Sequence, residues 1–161
     1  MASPDFQAMA ELRYQIRRFL HFSETAARQE GLEPQQHQLL LAIEGLPCGL
    51  KPTIGTLAER MQIRHHSAVG LIDRLVERGL LVRLRATDDR RQVLVKLTPE
   101  GENCLHRIAR HHFHELRSAG PKFVHILRTL IDNAYFSTAT QTSTYQPVTL
   151  DKKTRRDRRD G

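Results

Sequence analysis

The stretch from Gln62 to Gly101, QIRHHSAVGLIDRLVERGLLVRLRATDDRRQVLVKLTPEG, changes its hydrophobic period once, and that change limits the folds open to the chain. In its first half Ala68, Leu71, Ile72 and Leu75 recur at i, i+3, i+4 and i+7, the stripe of a helix buried along one side. His66, Ser67, Gly70, Asp73, Arg74 and Glu77 fall on the opposite side, and Gly79 ends the helix. LVRLR and VLVKL then alternate apolar with basic or mixed residues, as half-buried strands do, and ATDDRRQ joins them. The segment therefore reads as a helix and a hairpin, oily behind and cationic in front.

The flanking sequence supplies more helices. Ser3-Pro4 has the form of a cap followed by proline in the first turn. Phe6, Met9, Leu12, Ile16, Phe19, Leu20 and Phe22 follow at helical spacing, to about Arg28, with Gly31 as the stop. Glu33-Pro34 opens a second helix containing Leu39, Leu40, Leu41 and Ile43, and GLPCGLKP is a loop. Thr53 caps a short third helix through Met61, with Ile54, Leu57, Ala58 and Met61 inward, and Met61 to Arg64 connects it to the next. Thr98-Pro99 starts a fifth helix, and Gly120-Pro121 predicts a break and a sixth, to about Phe136. From residue 138 to 161 apolar periodicity is almost absent, which predicts a flexible basic tail in which Lys152, Lys153, Arg155, Arg156, Arg158 and Arg159 outnumber Asp151, Asp157 and Asp160.

This order predicts a mainly α protein with a small β-wing: a winged helix-turn-helix domain, about 34–98, plus N- and C-terminal helices. Those terminal helices carry more apolar surface than one small winged domain can cover. Phe6, Ile16 and Phe19 lie at one end, and Phe123, Ile126, Leu127, Leu130 and Ile131 at the other.

Charge points the same way. Lys and Arg number 25 against 18 Asp and Glu, a formal +7 with a pI near 10.0. Fixed positive charge of this size favours a polyanion, whose counterions it displaces, although a solubility surplus has the same composition. A helix presented with its first turns outward can enter a major groove, where base edges are distinguishable. An arginine on a stiff hairpin can reach a narrow minor groove, and a neighbouring carboxylate can orient a guanidinium. Asp89 and Arg91 lie two apart, so on a strand they would share a face and Arg90 would point the other way.

Two stretches, LAERMQIRHHSAVGLIDRLVERGLLVR and DDRRQVLVKLTPEG, resemble the MarR family of bacterial transcription regulators. Asp89, Arg91, Val95, Leu97, Thr98 and Gly101 match, in order, that family's wing signature. The resemblance implies a homodimer, interlocked through segments at about 4–29 and 99–137, that represses, or occasionally activates, nearby genes by binding a pseudo-palindromic double-stranded DNA operator. Half-sites would lie about 34–36 Å apart, one turn of duplex. Carried over by position, Arg64, His65, His66, Ser67, Gly70 and Arg74 are the recognition-helix contacts, Arg90 enters the minor groove, and Asp89 and Arg91 brace the wing. Many relatives have a Ser/Thr-rich entry and an arginine where this chain has Val69-Gly70, a departure that bears on which bases are read and not on whether DNA is bound.

The resemblance also implies release by a small effector, commonly an aromatic acid or phenol, held between the winged domain and the terminal helices. Arg18, Phe19, Phe22, His37 and Leu41 are the candidates for that cleft. Redox-responsive and metal-responsive variants are the alternatives. For the first, the thiols are Cys48, in the glycine-proline loop, and Cys104, in the fifth helix. For the second, His111 shares a helix face with His114 and Glu115, and His37 sits on another helix, fewer converging donors than a specific site needs.

The reading implies no metal, no cofactor and no catalytic residue, for the chain shows no phosphate-binding glycine loop and no nucleophile with an obvious base. Two cysteines, an N-terminus without a basic start and long apolar run, and no apolar run of about 20 residues predict a cytoplasmic protein away from membranes. A winged helix that contacts proteins instead of DNA is the rival from another class.

Overall fold

The computed structural model describes residues 4–87 and 92–132. The element order is α1 (Pro4–Gln29), α2 (Pro34–Glu44), α3 (Ile54–Arg60), α4 (His65–Glu77), β1 (Leu81–Arg85), β2 (Val93–Leu97) and α5 (Pro99–Asp132). Ser3 lies outside the described residues, as do wing-tip residues 88–91 and the chain from 133 onward, including the basic tail.

Local chemistry explains most boundaries. Gln36 Oε1 accepts from the Glu33 N–H at 3.0 Å and closes the first turn of α2. Thr53 Oγ1 accepts from the Thr56 N–H at 3.2 Å and caps α3. Helix α4 ends at Gly79, whose φ of 70° is the left-handed conformation that a Cβ disfavours. Thr98 Oγ1 accepts from the Gly101 N–H at 3.1 Å and donates to the Gly79 carbonyl at 2.7 Å, tying the start of α5 to the end of α4. Gly101 has a second reason to be glycine, because a Cβ there would come within 2.2 Å of the Leu80 carbonyl oxygen.

The turn between α3 and α4 uses no glycine. Gln62 takes φ 53° there, and the Ile63 N–H returns to the Ala58 carbonyl at 3.0 Å.

Strands β1 and β2 pair antiparallel, from Leu81 opposite Leu97 to Arg85 opposite Val93. A single bridge from Thr53 to Leu94, with the Val95 N–H donating to Pro52, adds the short edge that precedes α3. The core gathers Ala27 from α1, Leu39 and Leu40 from α2, Leu57 from α3, Ile72 and Leu75 from α4, Val95 from β2 and Ile108 from α5, all fully buried. This is a winged helix-turn-helix with long helices at both ends.

One expectation fails. Gly120-Pro121 neither ends a helix nor starts a sixth, for α5 runs through Pro121 unbroken. Proline disfavours helix in the preceding residue because its ring meets that residue's Cβ, and Gly120 has none. The remaining costs, one lost N–H donor and the crowding of the ring against the carbonyl four residues back, are offset by anchoring beyond the proline. Lys122 Nζ pairs with Glu11 Oε1 at 2.6 Å, and Ile126 is buried. Among the described residues no helix is long and apolar enough to cross a membrane.

Candidate nucleic-acid interface

Helix α4 sorts its residues by side. Ala68, Leu71, Ile72 and Leu75 are buried, while His65, His66, Ser67 and Arg74 are exposed, together with Arg64 just before the helix. Gly70 lies half-buried among the outward residues, and the space a Cβ would take there is 3.7 Å from Arg74 Nη1. No side chain caps the start of α4. The positive end of its peptide dipole therefore coincides with Arg64, His65 and His66, a setting that favours an anion.

The wing is fastened to this helix. Arg83 Nη1 on β1 meets Asp73 Oδ1 on α4 at 2.6 Å. Sequence reasoning placed Asp73 on the outward face but missed its partner. An arginine at an alternate strand position opposite a helix carboxylate was the available signal. Arg85, at the wing end of β1, is exposed. Asp89, Arg90 and Arg91, the expected tip contacts, lie outside the described residues.

The expected effector residues separate into two hollows. Phe19, His37 and Leu41 meet in a cavity of about 220 Å³ between α1, α2 and α5, where Ser23, Ala109 and Phe113 also line the wall. Arg18 and Phe22 instead line a wider hollow of about 610 Å³ beside Tyr14, Arg17 and His21, in which Arg18 Nη2 lies 3.8 Å from Glu115 Oε1. Phe22 still touches the first group from behind, its ring edge-on to His112 with centroids 5.9 Å apart.

His112 is the residue the sequence reading passed over. Its ring stacks on His37 with centroids 5.1 Å apart and 16° between planes, and Phe19 packs against it at 5.8 Å. Both imidazoles are held toward the neutral form. Burial, then the nearby charge of His112, brings His37 down to about 4, and burial, then His111, lowers His112. His112 Nε2 is buried without a hydrogen-bond partner. The signal was phase, since His112 continues the inward series Leu105, Ile108, whereas His111 and His114 are exposed.

Among the described residues no group of three or more His, Cys, Asp or Glu side chains is placed to hold a metal ion. His37 accordingly faces His112 and not the His111, His114 and Glu115 set. Cys48 is exposed in its loop. Cys104 is buried, and burial pushes its thiol up, away from the reactive thiolate.

Residues 30–92 match the sequence profile of the MarR family. A Thauera aromatica protein assigned as the transcriptional regulator of the hcr operon is 35% identical over 96 residues, which are 60% of this chain and 56% of that one. The chain spans 56% and 36% of the length of the two curated relatives it matches.

Among solved structures, CouR from Rhodococcus jostii bound to p-coumaroyl-CoA superposes with a TM-score of 0.58 at 25% identity, covering 86% of this chain and 92% of that one. Staphylococcus aureus MepR bound to an oligodeoxyribonucleotide superposes with a TM-score of 0.58 at 13% identity, covering 84% and 97%. The fold defines a winged helix-turn-helix protein. Over residues 30–92 the chain is similar to the MarR family.

Proposed function

We propose that this chain is a transcription regulator, acting as a repressor, that binds a pseudo-palindromic double-stranded DNA operator as a homodimer. The observation that carries the reading is the α4 face: four apolar residues fully committed to the core, with Arg64, His65, His66, Ser67 and Arg74 presented outward beside a wing held by the Arg83–Asp73 pair. Inserted in a major groove, that face offers donors to base edges and phosphates. The wing carries Arg90 toward the adjacent minor groove, with Asp89 and Arg91 bracing it. The capture of an oligodeoxyribonucleotide by MepR, which has the same fold, supports this use of it.

Self-association is supported by the terminal helices. Phe6 (75% exposed) and Ile131 (78%) stand in solvent, with Ile16, Val124 and Leu127 partly uncovered, on the two helices that flank the winged segment. A second copy covers them, and residues 4–29 and 99–137 form the dimer layer.

The small cavity is the effector site. Its wall of Phe19, Leu41, Ala109 and Phe113, with His37 and His112 neutral, suits an apolar aromatic ligand such as a phenol, and the aromatic acyl thioester held by CouR supports that class.

The test is titration of a labelled duplex, selected from random sequences, across a range of salt. Affinity falls linearly on a log–log scale, and Arg74→Ala weakens binding by about 1–3 kcal/mol or reduces the salt slope by about one. Failure to bind any duplex at low salt refutes the reading and leaves the protein-contact alternative.

A further inference from the structure

Arg78 closes the recognition helix, yet its side chain leaves α4 and ends at the corner between α1 and α2. Its Nη1 donates to Gln36 Oε1 at 3.0 Å, and its Nη2 lies 3.7 Å from where a Gly31 Cβ would stand. Gln36 Oε1 already accepts from the Glu33 N–H, so it is fixed before Arg78 reaches it. The other side of the corner is held from α5, where Arg107 Nε donates to Glu30 Oε2 at 2.6 Å. His37, the residue after Gln36, forms the cavity wall and stacks on His112. Two successive residues in the first turn of α2 thus face different ways, one into the cavity and one to the end of the recognition helix.

We infer that Arg78 is a positioning residue that couples the cavity to DNA, its tie to Gln36 carrying a displacement of α2 imposed at His37 to the C-terminal end of α4. The inference rests on the DNA-binding reading above and names the regulation of that site. Apolar contacts between α2 and α4 tolerate sliding, whereas a charge-assisted hydrogen bond to a fixed acceptor transmits direction. Helix α4 has 13 residues and is about 20 Å long. A tilt of a few degrees about its tethered end moves the base-reading turns by on the order of 1 Å, enough to spoil hydrogen bonds that tolerate only a few tenths of an ångström.

The experiment needs no ligand, because the cavity can be filled from within. Ala109→Leu places a larger side chain in it from α5, and Ser23→Leu does the same from the α1 wall. Duplex affinity is measured for the full chain, each filling variant, Arg78→Gln, and each filling variant combined with Arg78→Gln, with circular-dichroism melts identifying those that fold.

The expected result is a loss of about tenfold on filling when Arg78 is present, and of less than about twofold when it is Gln. Arg78→Lys, which keeps a long, charged donor for Gln36 where the shorter, neutral glutamine does not, restores most of the response. Equal losses with and without Arg78, or no loss from a folded filling variant in the parent, overturn the inference while the DNA-binding reading stands. A parent chain that binds no duplex overturns both.

Discussion

Helix α4 hides Ala68, Leu71, Ile72 and Leu75 inside its own chain and turns histidine, serine and arginine to solvent, whereas α1 and α5 turn Phe6, Ile16, Leu127 and Ile131 outward. Both regions are amphipathic helix, but one is complete within a single chain and the other is not. In the first, burial fixes which polar residues are left for a partner. In the second, the exposed residues are the partner surface of the proposed dimer. The same hydrophobic pattern therefore means a finished core at α4 and an unfinished one at the chain ends.

The comparison breaks most visibly at the ends. Ile131→Asp leaves the single chain folded, since Ile131 supports little within it, but separates the dimer. Linked half-site binding is then lost, and duplex affinity drops by up to about a thousandfold, read by sedimentation and duplex titration. If Ile131→Asp leaves the dimer intact, that face is not the interface.

The opposite result is expected at α4. Ile72→Ala opens a cavity in the core and costs about 3 kcal/mol of unfolding free energy, measured by denaturant titration, in monomeric and dimeric protein alike.

The seam between the two regions gives the third effect. His37 is 3% exposed and titrates near 4, against an ordinary value of 6.5. The unfolded chain therefore binds the proton more readily than the folded one. Stability is full above about 6.5, falls as pH drops from there toward 4, and levels off below, by on the order of 3 kcal/mol in all. His37→Phe keeps the ring stack and removes this part of the pH dependence. A slope unchanged by that substitution assigns it to other groups.

The smallest effect sharpens the role of the outward face. Gly70→Ala meets only ordinary contact with Arg74 and raises helix stability by up to about 1 kcal/mol in thermal melts. Weaker duplex binding by the stabilised variant means that the open surface at Gly70 admits DNA. Unchanged binding means that Gly70 makes no close approach.

What the sequence made legible follows from how local each signal is. The caps at Thr53 and Thr98, the stop at Gly79 and the α4 stripe depend on a few neighbouring residues, and all were readable. Gly120-Pro121 misled because the pair was read as two breakers, when the glycine removes the Cβ that proline opposes in a helix. The site was half legible for a different reason. Outward residues on one helix can be named from phase, but His112 against His37, Arg83 against Asp73 and Arg78 against Gln36 join residues far apart in the chain. No periodicity specifies which distant partner a side chain meets. His112 could still have been placed, since it keeps the phase of Leu105 and Ile108, had the histidines of α5 been matched to its apolar stripe before being paired with each other.

The account depends on the α4 face being presented twice to one duplex. Sedimentation of the full chain with a selected duplex, at low salt and again at high salt, measures this directly. The predicted result is a complex of two chains per duplex that dissociates steeply as salt rises. A complex with one chain per duplex, or binding indifferent to salt, contradicts it.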